Sequence, residues 1–139
     1  MKAIRLIALA ACMAATLDAS AQEQEIRLFS HRGGRMEHDE NTLSAFQASY
    51  DAGYRGFETD IRMTRDGALV ITHDSSLERT TDGTGTVEEK TEAEIRRLRT
   101  KQGNKVLFLD ELLEFLKGKE GLYVEFEMKT KPEALYPEE

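Results

Sequence analysis

The chain has 139 residues, about the size of one domain, and its 40% hydrophobic and 32% charged residues describe an ordinary globular protein rather than a disordered or fibrous one. A formal net charge of -7, spread over many single acids, argues against nucleic acid and anionic membrane surfaces as partners. Small phosphorylated ligands remain open, because a few local cations suffice to hold them.

The N-terminus separates by composition. Basic "MKAIR", apolar "LIALAACMAATL" and "DASAQ" have the layout of a secretory signal peptide over residues 1–21, cleaved before Gln22, which leaves 22–139 as the domain, periplasmic or secreted. The apolar run is well short of the roughly 20 residues that span a bilayer, so no stable membrane insertion is expected. A rival reading takes "LAAC" as a lipoprotein signal acylated at Cys12. Cys12 is the only cysteine, so a chain beginning at Gln22 has no thiol, which excludes disulfides and thiolate chemistry.

Beyond the leader, "EIRLFSHRGG" predicts a short strand ending in glycines, and "ENTLSAFQASYDAG" a helix with Asn41 as N-cap and Gly53 past its end. Leu43, Phe46, Ala48 and Tyr50 approximate its apolar side. Phe57 to Met63 and Ala68 to Thr72 predict two strands joined at Asp66-Gly67. A Gly/Thr-rich loop, "RTTDGTGTVEEKT", a helix from about Glu92 to Arg99, a helix in "LDELLEFLKG" and a strand in "LYVEFEMK" follow. This alternation is that of a parallel α/β fold, with no competing internal repeat. A complete α/β barrel takes about 250 residues, so the chain is expected to hold its first third to half.

Residues i and i+2 of a strand share a face, so Glu58 and Asp60 project together, as do Glu127 and Lys129. Adjacent carboxylates repel unless a cation sits between them, and calcium or magnesium takes oxygen ligands of this kind. For E-x-D alone, two acids facing water at a strand edge explain the pattern equally well. With Asp66-Gly67 as a two-residue loop, His73 falls opposite Asp60, where an imidazole would exchange protons beside the metal. A longer, bulged loop would shift that register by one. His31 ends the first strand and precedes Arg32, a combination suited to an anionic substrate such as a phosphate, although a structural histidine also accounts for it.

The series "HRG", "ENT", "ETD", "TRDGALVITHD", "LERTTDGTG" and "EMK", from about Ile26 to Lys129, resembles the glycerophosphodiester phosphodiesterase family. The resemblance implies a TIM barrel, here partial, and metal-dependent hydrolysis of glycerophosphodiesters to glycerol 3-phosphate and an alcohol with Ca2+ or Mg2+. It implies that His31 and His73 are the acid-base pair and that Glu58, Asp60 and Glu127 hold the metal. Arg32 and Lys129 would contact the phosphate, with Glu40 and Asn41 lining or bracing the site. By the same analogy the nucleophile is the neighbouring glycerol hydroxyl, which gives a cyclic phosphate; direct attack by water is the alternative.

Asp39 stands where the family commonly has a proline, which leaves the stiffness of that loop open. His38 reads as a solvated loop residue, and Asp74 as either an orienter of His73 or a cap of the next turn. Glu125 competes with Glu127 as third metal ligand, and the E-x-K spacing favours Glu127. Two further readings are a non-catalytic fragment that binds phosphate and metal without turnover, and a phosphodiesterase acting on intact lipids, which the lack of an apolar lid disfavours. A partial barrel also leaves strand edges unpaired, so poor stability, weak activity and self-association are expected.

Overall fold

The computed structural model describes residues 26–129; the segment expected to be a signal peptide, with Cys12, and the ten C-terminal residues lie outside them. The centre is β2 (Gly56–Met63), whose alternating Phe57 and Ile61 are buried against helices while Glu58 and Asp60 point to the opposite face. On one edge β2 pairs in parallel with β4 (Tyr123–Met128). The other edge is shared in tandem by β1 (Phe29–His31), parallel, and β3 (Leu69–Ile71), antiparallel. Among the described residues β1 and β4 each pair only with β2, so the sheet is open: a partial α/β sheet of the expected class.

Helix α1 (Leu43–Asp51) crosses from β1 to β2, and α3 (Leu109–Leu116) precedes β4. Both pack on a core of Phe46, Phe57, Ile61, Ile71, Leu107 and Leu112. A second core, with Val70, Leu77, Val87, Ile95, Val106 and Phe108, lies under the 3-10 turn Val87–Glu89 and the one-turn helix α2 (Glu92–Ile95). Val70 and Ile71, consecutive on β3, face the two cores in turn, which anchors the Gly/Thr-rich segment to the sheet.

Four local expectations are corrected. The hairpin pairs Ile61 with Ile71 and Met63 with Leu69, so Thr72 rather than His73 lies across from Asp60, its amide donating to the Asp60 carbonyl at 3.0 Å. The turn closes Thr64 on Ala68, with Gly67 at φ 90 and the Thr64 hydroxyl held by Asp66, a longer loop that moves the register by one. Thr42, not Asn41, caps α1, its hydroxyl accepting from the Ala45 amide at 3.2 Å. The buried face of α1 is Ala45, Phe46 and Ser49, with Leu43 exposed. Finally, α2 ends at Ile95 because the chain turns away to pair Arg99 and Thr100 with Lys105 and Thr81, and the Arg99 amide binds Asp82.

Candidate active site

The loop after β1 bends sharply. Arg32, Gly33 and Gly34 have φ of 53, 76 and 93, and a Cβ on Gly33 would lie 2.9 Å from that of Ala45. Only glycine fits this approach to α1. The bend turns the Arg32 side chain inward, where it is buried, and aims its amide at Glu58 Oε2, 3.1 Å away. Asn41, also left-handed at φ 57, spans the base of the site: it donates to Asp60 Oδ2 at 2.9 Å and accepts from the Thr59 hydroxyl at 2.9 Å. A non-glycine residue held there by two side-chain hydrogen bonds is typical of a constrained functional loop.

The parallel register pairs Glu58 with Glu125 and Asp60 with Glu127. Of these, Glu58, Asp60 and Glu127 bring carboxylate oxygens within 4.8 Å of one another. Asp60 is wholly buried between cations, Arg32 Nε at 3.3 Å and Lys129 Nζ at 3.3 Å, and Lys129 also reaches Glu127 at 2.5 Å. Hydrogen bonds to Glu127 and Asp60 outweigh the effect of burial and hold the Lys129 ammonium above its ordinary pKa. Burial, and then the neighbouring Asp60 charge, push the Glu58 carboxyl up.

The donor set therefore fits a hard divalent cation. Asp60 Oδ1 is buried with only the Lys129 ammonium, 3.3 Å away, against it, and Glu58 is held against its ordinary ionisation by burial and then by a second carboxylate. Both features call for more positive charge at this point, and an all-oxygen set suits an ion such as calcium or magnesium.

The two imidazoles are held by separate carboxylates. His31 Nε2 lies 3.5 Å from Glu58 and is half exposed, while His73 Nδ1 lies 2.6 Å from Asp74. Of the two roles open to Asp74, the structure shows the orienting one. The His73 carbonyl also accepts from Arg62 Nε at 2.9 Å, and Arg62 pairs with Glu88 at 2.8 Å, so the histidine is fixed at both backbone and ring. His38 is exposed, as expected. Asp39 stiffens its loop without a proline, its carboxylate accepting from the Thr100 hydroxyl at 2.5 Å and from Asn104 Nδ2 at 2.8 Å.

Glu40 sits between two arginines: Arg32 Nη1 at 3.2 Å, and Arg79, whose Nη1 and Nη2 donate to it at 2.9 and 2.7 Å. The Arg79 hydrogen bonds lead the causes that hold the Glu40 carboxyl below its ordinary range. Arg79 also donates through Nε to Asp74. Sequence reasoning passed over this arginine, which lies inside "LERTTDGTG", a segment read for its glycines and threonines; the available signal was a lone cation five residues after Asp74.

Residues 31–139 match the model of the glycerophosphoryl diester phosphodiesterase family. Among curated proteins, the chain is 41% identical over 71 residues to a glycerophosphodiester phosphodiesterase of Caldanaerobacter subterraneus subsp. tengcongensis, covering 51% of this chain and 29% of that protein. It is 44% identical over 73 residues to human glycerophosphodiester phosphodiesterase 1, covering 52% and 22%. The crystal structure of glycerophosphodiester phosphodiesterase from Agrobacterium tumefaciens superposes with a TM-score of 0.67 at 36% identity, over 73% of this chain and 47% of that one. An Oleispira antarctica phosphodiesterase, solved with the product sn-glycerol-3-phosphate, superposes with a TM-score of 0.69 at 30% identity, over 75% and 44%. The chain thus spans less than a third of these curated relatives and less than half of these solved structures. With the family model matching most of its length, the chain belongs to the glycerophosphoryl diester phosphodiesterase family.

Proposed function

We propose that this chain carries the metal- and proton-handling part of a hydrolase that converts glycerophosphodiesters to glycerol 3-phosphate and an alcohol. The observation that carries the reading is the Glu58, Asp60 and Glu127 cluster, within 4.8 Å, flanked by the buried Arg32 and by His31 on Glu58. A calcium or magnesium ion held by those three carboxylates would supply Lewis-acid stabilisation of the phosphoryl oxygens. Arg32 and Lys129 bind the phosphodiester, and Glu40 and Asn41 keep Arg32 and Asp60 in place. Asp74 accepts from His73 Nδ1–H, which leaves Nε2 free to take or give a proton. One histidine takes the proton of the attacking glycerol hydroxyl while the other protonates the leaving alkoxide, and water then opens the resulting cyclic phosphate to glycerol 3-phosphate with the two roles exchanged. The product named for the Oleispira antarctica relative agrees with this substrate class.

Incubation with glycerophosphocholine and calcium, with glycerol 3-phosphate as the readout, tests the reading; absence of product with every divalent metal overturns it. A second reading, binding without turnover, draws on the exposure of β4 and of Glu127, whose side chain is 57% accessible, since water there screens the site's charges. Calorimetric binding without product formation would favour it. We also place the protein as exported to the periplasm or beyond, on the composition of residues 1–21, which lie outside the described residues; N-terminal sequencing of protein from the cell envelope or medium tests this. Among the described residues no helix is long and apolar enough to cross a membrane.

A further inference from the structure

Five charged residues of alternating sign, ending on a histidine, form one chain across the site. Asp60 lies 3.3 Å from Arg32, Arg32 lies 3.2 Å from Glu40, and Glu40 accepts a two-nitrogen fork from Arg79 at 2.7 and 2.9 Å. Arg79 Nε then donates to Asp74 Oδ2, and Asp74 Oδ1 meets His73 Nδ1 at 2.6 Å. Every link except Arg79 is at least two-thirds buried; Arg79 itself is 47% exposed.

That contrast in burial bears on its role. An exposed arginine contributes little to packing, and an isolated surface pair contributes little to stability. Arg79 instead spends both edges of its guanidinium on two carboxylates, each already committed to a side chain of the candidate site. The fork to Glu40 fixes the acid that shares Arg32 with Asp60. The Nε bond fixes the acid that orients His73. Three of its five N–H groups are thereby used within the protein, which disfavours direct capture of a phosphate.

We propose that Arg79 is a positioning residue that sets both the His73 ring, through Asp74, and the Arg32 guanidinium, through Glu40. It couples the proton-transfer side of the site to its anion-binding side. The carboxyl of Asp74, held down at about 2 chiefly by the Arg79 hydrogen bond, stays an acceptor for Nδ1–H across the working range. This role rests on the phosphodiesterase reading for its effect on turnover, but its effect on His73 stands without it.

The test uses the full chain and its R79Q and R79K variants. Nitrogen-15 NMR of the histidine rings, with His73 assigned through His73→Gln, reads the tautomer directly. In the wild type the neutral ring is expected as the Nδ1–H form, and in R79Q it shifts towards the Nε2–H form that a free histidine side chain prefers. An unchanged tautomer population and linewidth in R79Q overturns the proposal. With glycerophosphocholine and calcium, R79Q is expected to lose about 10- to 100-fold in kcat through His73 and to raise KM by a smaller factor through Arg32, R79K less in both. A kcat that stays constant in R79Q, whatever KM does, removes the link to His73 and overturns the proposal. If the wild type makes no product, the hydrolase reading fails, and the NMR comparison alone decides the role of Arg79.

Discussion

Asp60 on β2 and Glu127 on β4 are register partners in adjacent parallel strands, and the Lys129 ammonium contacts both carboxylates, at 3.3 and 2.5 Å. Lys129 thus supplies part of the positive charge the acids require, and a divalent ion between them would weaken that hold. Glu127 is the cleaner position at which to test the metal, because its side chain is exposed and its loss removes little packing. Glu127→Gln is expected to change metal-free stability by less than about 0.5 kcal/mol. It should abolish most of the rise in melting temperature on adding calcium, which the wild type should show by linkage. Equal calcium-induced shifts in the two proteins would remove Glu127 from the ligand set.

Asp60 behaves differently because it is wholly buried and faces Arg32, Lys129 and Asn41. Replacing it with asparagine leaves two cations short of a counter-charge. Breaking a buried pair costs about 3–5 kcal/mol, and the lower end applies here because Arg32 keeps Glu40 and Lys129 keeps Glu127. Urea denaturation of Asp60→Asn should show that loss without metal, alongside weakened metal binding. A variant as stable as the wild type would contradict the charge network.

These side chains also show how far the sequence carried. Strand alternation put Glu58 with Asp60 and Glu127 with Lys129 on common faces, because the period of two is a backbone property independent of context. Histidine placement was less legible. A two-residue turn puts His73 across from Asp60, but the Thr64 hydroxyl bonds the Ala68 amide and Asp66, which lengthens the loop and substitutes Thr72. Asn41 carried a strong capping signal, yet its side chain is spent on Asp60 and Thr59, so the cap passed to Thr42. Arg79 stayed hidden because its meaning lies in contacts to residues 5 and 39 positions away.

Acid titration should reveal the Arg79 contact. Asp74 is held at about 2, against an ordinary 3.8, chiefly by Arg79 and further by His73, with burial opposing. A depressed carboxyl stabilises the fold above 3.8, and that contribution is lost as pH falls from 3.8 through 2. Carbon-13 NMR of the Asp74 carboxyl in Arg79→Gln should find its pKa raised towards the ordinary value. The stability gap between the two proteins should be widest above pH 4 and close towards pH 2, with Glu40, lowered through the same arginine, acting in the same direction. A carboxyl that still titrates near 2 in the variant would show that Arg79 is not the cause.

Asp39 gives a prediction about the loop that carries Glu40 and Asn41. Its carboxylate ties that loop to Thr100 and Asn104, and its carbonyl accepts from the Thr42 hydroxyl at 2.7 Å. Asp39→Ala leaves the two side-chain donors unpaired, at about 1–3 kcal/mol. Amide hydrogen exchange should then accelerate over residues 39–42 and 100–104 together. Acceleration in only one segment would show that the tie is not the constraint on the other.

The open side of β4 leads to the last prediction. Among the described residues this strand pairs only with β2, and Tyr123, Phe126 and Met128 are 45%, 39% and 58% exposed. An edge with unpaired backbone groups and apolar side chains on view is a template for another strand, and the nearest source of one is a second copy of the chain. The sedimentation-equilibrium mass is therefore expected to rise with concentration above that of the monomer. Phe126→Lys puts a charge on that face and should lower the association, as edge lysines do in natural sheets. A chain that stays monomeric with a cooperative melt would show that this open sheet stands alone, and one with the same association in Phe126→Lys would place the contact elsewhere.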